Sequence, residues 1–363
     1  MKKILCLIIC LIMCSSMLVA CSKEEIGDYI ENYPETDETV ERLGINMYII
    51  VDEASPNAMI SVKDRISGYT KTKYDTVLNV NYVTADVYEK TVMDAIAAGG
   101  DATPNIVLIN SEGMMNSLVY AEGGNKLADL TPYYNSRDYG RMNSQITASL
   151  IQSSKIDGKL YTVPNNHVVD QYTYLVVNKQ VAHKELHITT TEIESYKSIA
   201  DASALIDKMN AAGYEASKYV YEVNGPYELK AALESQGNFC NVIKQPTVTK
   251  AEAFSSAFAI VNNANSKYND RAMQMIYAIN NDFELRNLLQ YGVEGANYIV
   301  ENDRDNDADN DNIVRKKDEN NIYSMNLSYT GNVFNANYCS EIGWTKIAKE
   351  NGTKQNKDSL SAQ

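Results

Sequence analysis

The sequence predicts an α/β fold organised around a parallel sheet. Between residues 45 and 120, short apolar runs of strand type alternate with segments of helical periodicity. That order is the pattern of right-handed strand–helix–strand crossovers. The chain has 363 residues and 44% hydrophobic content, enough for two domains with packed cores.

The elements follow in order. Residues 46–51, Asn-Met-Tyr-Ile-Ile-Val, form the first expected strand. Residues 56–69 carry Met59, Ile60, Val62 and Ile66 at helical spacing. Residues 76–83 are the second strand. Residues 85–98 are a helix with Val87, Thr91, Ala95 and Ala98 on one side, stopped by Gly99 and Gly100. Residues 104–109 are the third strand and 112–120 a third helix. Two more strands are expected at 159–163 and 172–177. Helices are expected at 199–212, 251–262, 272–280, 283–291 and 340–350. Residues 298–300 and 313–315 flank an acidic turn as a hairpin, and 351 onwards reads as a frayed polar tail.

The amino terminus has its own logic. Lys2 and Lys3 precede an uncharged run from residue 4 to 20, which ends in Leu18-Val19-Ala20-Cys21 before Ser-Lys-Glu-Glu. A positive start, an apolar core and small residues before a cut describe a secretory leader. The ending resembles the bacterial lipobox. That resemblance implies cleavage before Cys21, acylation of Cys21 and a partnership with the lipid bilayer, since two acyl chains anchor a protein stably. The competing reading is a transmembrane helix at the short limit of spanning length. Residues 22–43, polar and acidic with Pro34, read as a tether.

The formal charge is −14, and it grows more negative once Lys2 and Lys3 leave. This argues against nucleic acid and anionic membrane surfaces as partners. Cys6, Cys10 and Cys14 belong to the leader and Cys21 to the anchor, leaving Cys240 and Cys339. Those two read as separate buried thiols, with a disulfide as the alternative. No Cys-x-x-Cys pair is present, so no structural zinc is expected. Residues 303–311 alternate acid like a calcium loop. Ala308 and Val314 stand where such a loop needs Gly and Glu, so a solvated hairpin tip is the reading. The sequence has no Gly-x-Ser-x-Gly elbow, His-Glu-x-x-His or phosphate loop. No enzymatic activity, cofactor or metal is expected.

Two further segments carry a family resemblance. Residues 157–164, Asp-Gly-Lys-Leu-Tyr-Thr-Val-Pro, continue to 174–179, Tyr-Leu-Val-Val-Asn-Lys; residues 291–298 read Tyr-Gly-Val-Glu-Gly-Ala-Asn-Tyr. With the lipobox, these resemble the family 1 extracellular solute-binding proteins, the maltose-binding-protein-like receptors of ABC importers. The resemblance implies a periplasmic-binding-protein-like fold of two lobes on a hinge of crossing strands. The domain plan is a leader at 1–20, a tether at 21–43, a first α/β lobe at 44–165, a hinge and shortened, mostly helical second lobe at 166–350, and a tail at 351–363. The implied role is capture of a sugar or oligosaccharide for an ABC permease, outside the cytoplasm on the bacterial cell membrane. A surface adhesion or scaffold lipoprotein that keeps the fold without a working cleft is the alternative, motivated by the short second lobe.

Loops at the carboxyl ends of parallel strands point into the crevice of an α/β sheet. This selects Asp52 and Glu53 after the first strand, and Asn110 and Glu112 after the third, with Ser111 as a helix cap. Near the expected crossover, Asn166, Asp170 and Gln171 are the ligand candidates, while His167 reads as structural. Tyr291 and Trp344 are candidate rings for stacking under a sugar.

Overall fold

The computed structural model describes residues 42–301 and 312–362. The leader and residues 21–41 of the expected tether lie outside the described residues, as does the acidic turn at 303–311, while Leu43 already belongs to the first strand. Among the described residues no helix is long and apolar enough to cross a membrane.

The first lobe begins as expected. Strand β1 (Leu43–Ile50) alternates up to Ile49, buries Ile45, Met47 and Ile49 completely, and ends on a buried Ile50. Helix α1 (Pro56–Tyr74) starts where Ser55 accepts the amide of Ala58, with Pro56 in its first turn. Its last turn carries Lys71 and Lys73, favourable at a helix carboxyl end. Strand β2 (Thr76–Val83) returns beside β1, followed by α2 (Tyr88–Ala98), β3 (Ile106–Ile109) and α3 (Glu112–Val119). The three strands are parallel, with Leu43 level with Thr76 and Met47 level with Ile106. The short helix α4 (Ala148–Ser153) leads into β4 (Thr162–Pro164).

The chain then crosses to a second lobe. Strand β5 (Tyr172–Asn178) is the centre of a three-stranded antiparallel sheet. Helix α5 (Ser203–Ala211), strand β6 (Val220–Gly225), helix α6 (Leu229–Ser235) and strand β7 (Asn238–Lys244) complete it. The two faces of β5 feed two small cores. One holds Leu175, Val177, Ile193 and Leu205; the other holds Tyr172, Tyr174, Val176 and Cys240. The lobe has this sheet at its centre, with more of its residues in helices than in strands.

The return path brings the main corrections. Residues 251–262 are not one helix: a single turn, Lys250–Ala253, leads to strand β8 (Ala257–Ile260). That strand enters the first lobe's sheet antiparallel between β3 and β4, giving the order β2-β1-β3-β8-β4. All four of its residues are buried, and an apolar run covered on both faces has no diagnostic period. Helices α7 (Ser266–Asn281) and α8 (Phe283–Tyr291) then pack Met273, Ile276, Ile279, Leu285 and Leu289 into the first lobe's core. The second lobe thus closes near residue 244 rather than 350.

The expected hairpin forms from β9 (Tyr298–Glu301) and β10 (Asn312–Arg315), with Tyr298 opposite Arg315. Before it, Gly292 turns the chain at a φ of 82°; a β-carbon there would sit 2.5 Å from Asn297 Oδ1. The last helix, α9, spans Lys346–Asp358, later than expected and capped by Thr345. The expected polar tail is therefore structured. Gly352, Gln355 and Asn356 are buried, and Leu360 and Ser361 pair with Thr247 and Val248. Cys240 and Cys339 are both buried free thiols.

Candidate functional site

The parallel strands present their carboxyl ends along one rim of the first lobe. Extending the pairing of Tyr48 with Val107 sets Asn110 level with Val51, one residue from Asp52. Asp52 and Glu53 are exposed, and Asn110 and Glu112 are half-buried. Ser111 caps α3 by accepting the amide of Met114 at 3.0 Å. The Asn110 side chain makes no hydrogen bond among the described residues, so its amide is available.

Asp52 sits in a charged setting that the sequence did not reveal. Its backbone amide donates to the Ser324 carbonyl at 3.2 Å. Although the residue as a whole is exposed, partial shielding of its carboxyl from solvent raises it above the usual range, and the Arg315 guanidinium pulls the other way. Arg315 donates to the carbonyl of Tyr323 and lies 5.6 Å from the Tyr291 ring centre. Tyr329 feels the same carboxylate: burial raises its hydroxyl, and the Asp52 charge raises it further. Beside them, Tyr82 and Tyr323 meet edge to face with hydroxyls 3.1 Å apart.

A buried network holds the loop that carries Tyr329. Arg286 is fully buried and has no carboxylate partner among the described residues. It donates to Gln290 Oε1 at 3.3 Å and to the Leu327 carbonyl at 2.9 Å. Gln290 in turn donates to Met325 O at 2.7 Å and accepts from the Thr330 hydroxyl at 2.5 Å. Burial pushes the Arg286 guanidinium down to about 10. The only sequence signal was the spacing of four between Arg286 and Gln290, on the same helical face as Leu285 and Leu289.

The crossings between the lobes form the hinge. Asp170 spends its carboxylate there: Oδ1 accepts Gln171 N at 2.7 Å and Oδ2 accepts Thr247 N at 3.3 Å. Its own amide donates to Glu252 Oε1 at 2.6 Å. Burial and then the nearby Asp170 charge hold the Glu252 carboxyl above its ordinary value, against the hydrogen bonds it accepts. Asp170 thus staples two crossings together. Gln171 beside it is exposed. Asn166 is also a brace, accepting from Thr147 N and Oγ1 at 3.0 and 2.7 Å and donating to Gln145 O at 2.8 Å. His167 bonds the Asn165 carbonyl through its Nδ1 at 2.7 Å.

Two predicted rings are packing residues rather than a stacking platform. Tyr291 is fully buried, and its hydroxyl donates to Asn337 O at 2.7 Å. Trp344 is 6% exposed and meets Phe334 edge-on at 5.5 Å. The structure therefore gathers Asp52, Glu53, Asn110 and Glu112 on one rim. It sets Asn166, Asp170 and Gln171 at the hinge and leaves Tyr291 and Trp344 in the interior. Among the described residues no cluster of His, Cys, Asp and Glu is arranged to hold a metal. Two concavities, of about 290 and 470 Å³, lie away from Asp52 and Asn110.

The chain thus forms two α/β lobes with separate cores, joined by short crossings. Among solved structures the chain is similar to the N-glycan transport solute binding protein NgtS of Streptococcus pneumoniae. One crystal structure of it is 16% identical, with a TM-score of 0.55 over 88% of this chain and 83% of that one. The form with Man5GlcNAc is 18% identical, with a TM-score of 0.54 over 88% and 83%. The form with Man1GlcNAc is 17% identical, with a TM-score of 0.53 over 88% and 84%. No protein-family model matches the sequence, and no curated protein matches it.

Proposed function

We propose that this protein is a membrane-anchored solute-binding lipoprotein that captures a sugar or oligosaccharide between its lobes and delivers it to an ABC permease. The observation that carries this reading is the two-lobed fold, matched over most of both chains to a protein whose crystal structures in complex hold Man1GlcNAc and Man5GlcNAc. The lipobox-like ending at Cys21 supports the anchor. On this reading the lobes close around the solute by rotating at the crossings near Asp170 and Thr247. Closure follows because the solute binds the closed form better than the open one. Asp52, Glu53 and Asn110 offer a carboxylate pair and an amide that suit the mixed donors and acceptors of a sugar. The protein performs no chemistry in this scheme; ATP hydrolysis belongs to the importer.

A thermal-shift screen over neutral mono- and oligosaccharides, amino acids and polyamines tests it, because a ligand that binds the native state raises the melting temperature. The expected result is a rise with a subset of saccharides alone. A screen without any rise favours the surface-scaffold reading, which the small second lobe supports.

A further inference from the structure

A second concavity stands beside the hinge and shares none of the rim residues. It has a volume of about 470 Å³, within the range of small-molecule sites. Its wall is more apolar than polar and includes the side-chain amides of Gln145, Asn166, Asn332, Asn335 and Asn356, with Phe334 as the one aromatic ring. No carboxylate lines it, and its one charged residue, Lys357, is exposed at the edge.

Part of this lining is committed and part is free. Asn166 and Asn356 are used up in holding the first crossing. Asn332 Oδ1 accepts Phe334 N at 3.1 Å, which leaves its nitrogen free; the Asn335 nitrogen is bonded to Asn280 O, which leaves its oxygen free. Gln145 Oε1 is buried without a partner among the described residues. That oxygen has almost no accessible surface, so the groups open to a ligand are those of Asn332 and Asn335. The free groups thus include both donors and acceptors, with no fixed charge in the wall. A neutral hydroxyl gives and accepts one hydrogen bond at once, which fits such a set; a carboxylate or ammonium does not.

We propose that this concavity is a binding site for a small neutral polyhydroxylated molecule, a sugar residue or an open-chain polyol, separate from the cleft between the lobes. Its occupant touches the side chains that fix the first crossing, so binding there bears on hinge motion. The proposal stands independently of the cleft ligand.

The test titrates the full chain, in a sugar-free detergent, with mannose, N-acetylglucosamine, sorbitol and glucuronate. Calorimetry and saturation-transfer NMR provide the readouts. Wild-type protein is expected to bind at least one neutral probe saturably in the millimolar range. Sugars without sorbitol identify a ring site, and sorbitol binding extends it to open polyols. Asn335→Leu removes the open oxygen, and Ala148→Trp fills the space from an exposed lining position. Each is expected to weaken that binding about tenfold or more, with melting curves confirming that both variants fold. Lys90→Ala, at an exposed position outside this lining, should leave it unchanged. Equal binding by wild type, Asn335→Leu and Ala148→Trp overturns the site. So does absence of saturable binding by every neutral probe, or binding of glucuronate alone that Lys357→Ala removes. Loss in Asp52→Ala but not in Asn335→Leu also overturns it, while leaving the cleft reading intact.

Discussion

The side-chain oxygen of Asn356 accepts the backbone amide of Val169 at 3.0 Å, tying the last helix to the first crossing between the lobes. The same side chain donates to His167 O at 2.7 Å and to Thr147 Oγ1 at 2.8 Å. One residue earlier, Gln355 accepts the amide of Tyr227 in the second lobe at 3.0 Å and donates to Asp170 O at 2.5 Å. Helix α9 is therefore bonded to both lobes and to the hinge. Asn356→Ala strands a buried amide and carbonyls, so it should cost about 1–3 kcal/mol of stability. Urea unfolding monitored by circular dichroism measures this. A variant as stable as wild type would mean that the segment is the loose tail its composition suggests.

Arg286 gives a second stability prediction. Its guanidinium links Gln290 to Leu327 O in a fully buried setting. Arg286→Ala leaves both a cavity and unpaired acceptors, so a loss of about 3 kcal/mol or more is expected. Arg286→Lys keeps the charge but not the fork, and should fall between the two. Melting temperatures in the order wild type, lysine, alanine support the network. A neutral alanine variant would contradict it.

The acid limb of stability should depend on Asp282. Burial would raise its carboxyl, but hydrogen bonds from Tyr74, Tyr69 and Lys73 outweigh that and hold it below the usual range. Tyr74 Oη lies 2.6 Å away, Tyr69 Oη 2.8 Å and Lys73 Nζ 3.0 Å. A depressed folded-state value means the unfolded chain takes up the proton first. The contribution is thus full above the unfolded value of about 3.9 and is lost as pH falls through the lower folded value. Asp282→Asn should flatten stability against pH in that window. An unchanged acid limb would show that this cluster does not govern it.

Asp52 behaves in the opposite sense. Its carboxyl is held above the ordinary value, chiefly by burial, so its ionised form is a burden on the fold near neutral pH. That cost grows as pH rises from the unfolded value through the folded one. Asp52→Asn should accordingly leave the melting temperature at neutral pH unchanged or raised. Asp52→Ala and Asn110→Ala should each weaken saccharide binding, by about 0.5–1.5 kcal/mol for one hydrogen bond and more where the group is charged. Calorimetric affinity beside melting temperature separates the roles. Lost stability with intact affinity would make these residues braces.

The legible parts of the sequence were those with a strong local period. Strand β1 alternates, α1 carries a serine cap and a proline start, and β3 is followed by a capped helix. These fix the rim, so Asp52 and Asn110 could be placed as neighbours from strand ends alone. Strand β8 was misread because Ala-Phe-Ala-Ile is apolar on every side and its sheet partners lie far away in sequence. The boundary of the second lobe failed for the same non-local reason. Arg286 was passed over because charged residues are almost never fully buried. Trp344 and Tyr291 were given a surface role for their chemistry, whereas packing against Phe334 and Tyr298 decides their position.

The most direct test of solute capture by two closing lobes is small-angle scattering of the protein with and without the saccharide that gives the largest thermal shift. Closure at the crossings predicts a smaller radius of gyration at saturation, with the effect lost in Asp52→Ala at the same saccharide concentration. A saccharide that binds tightly while the scattering curve stays unchanged would contradict the account.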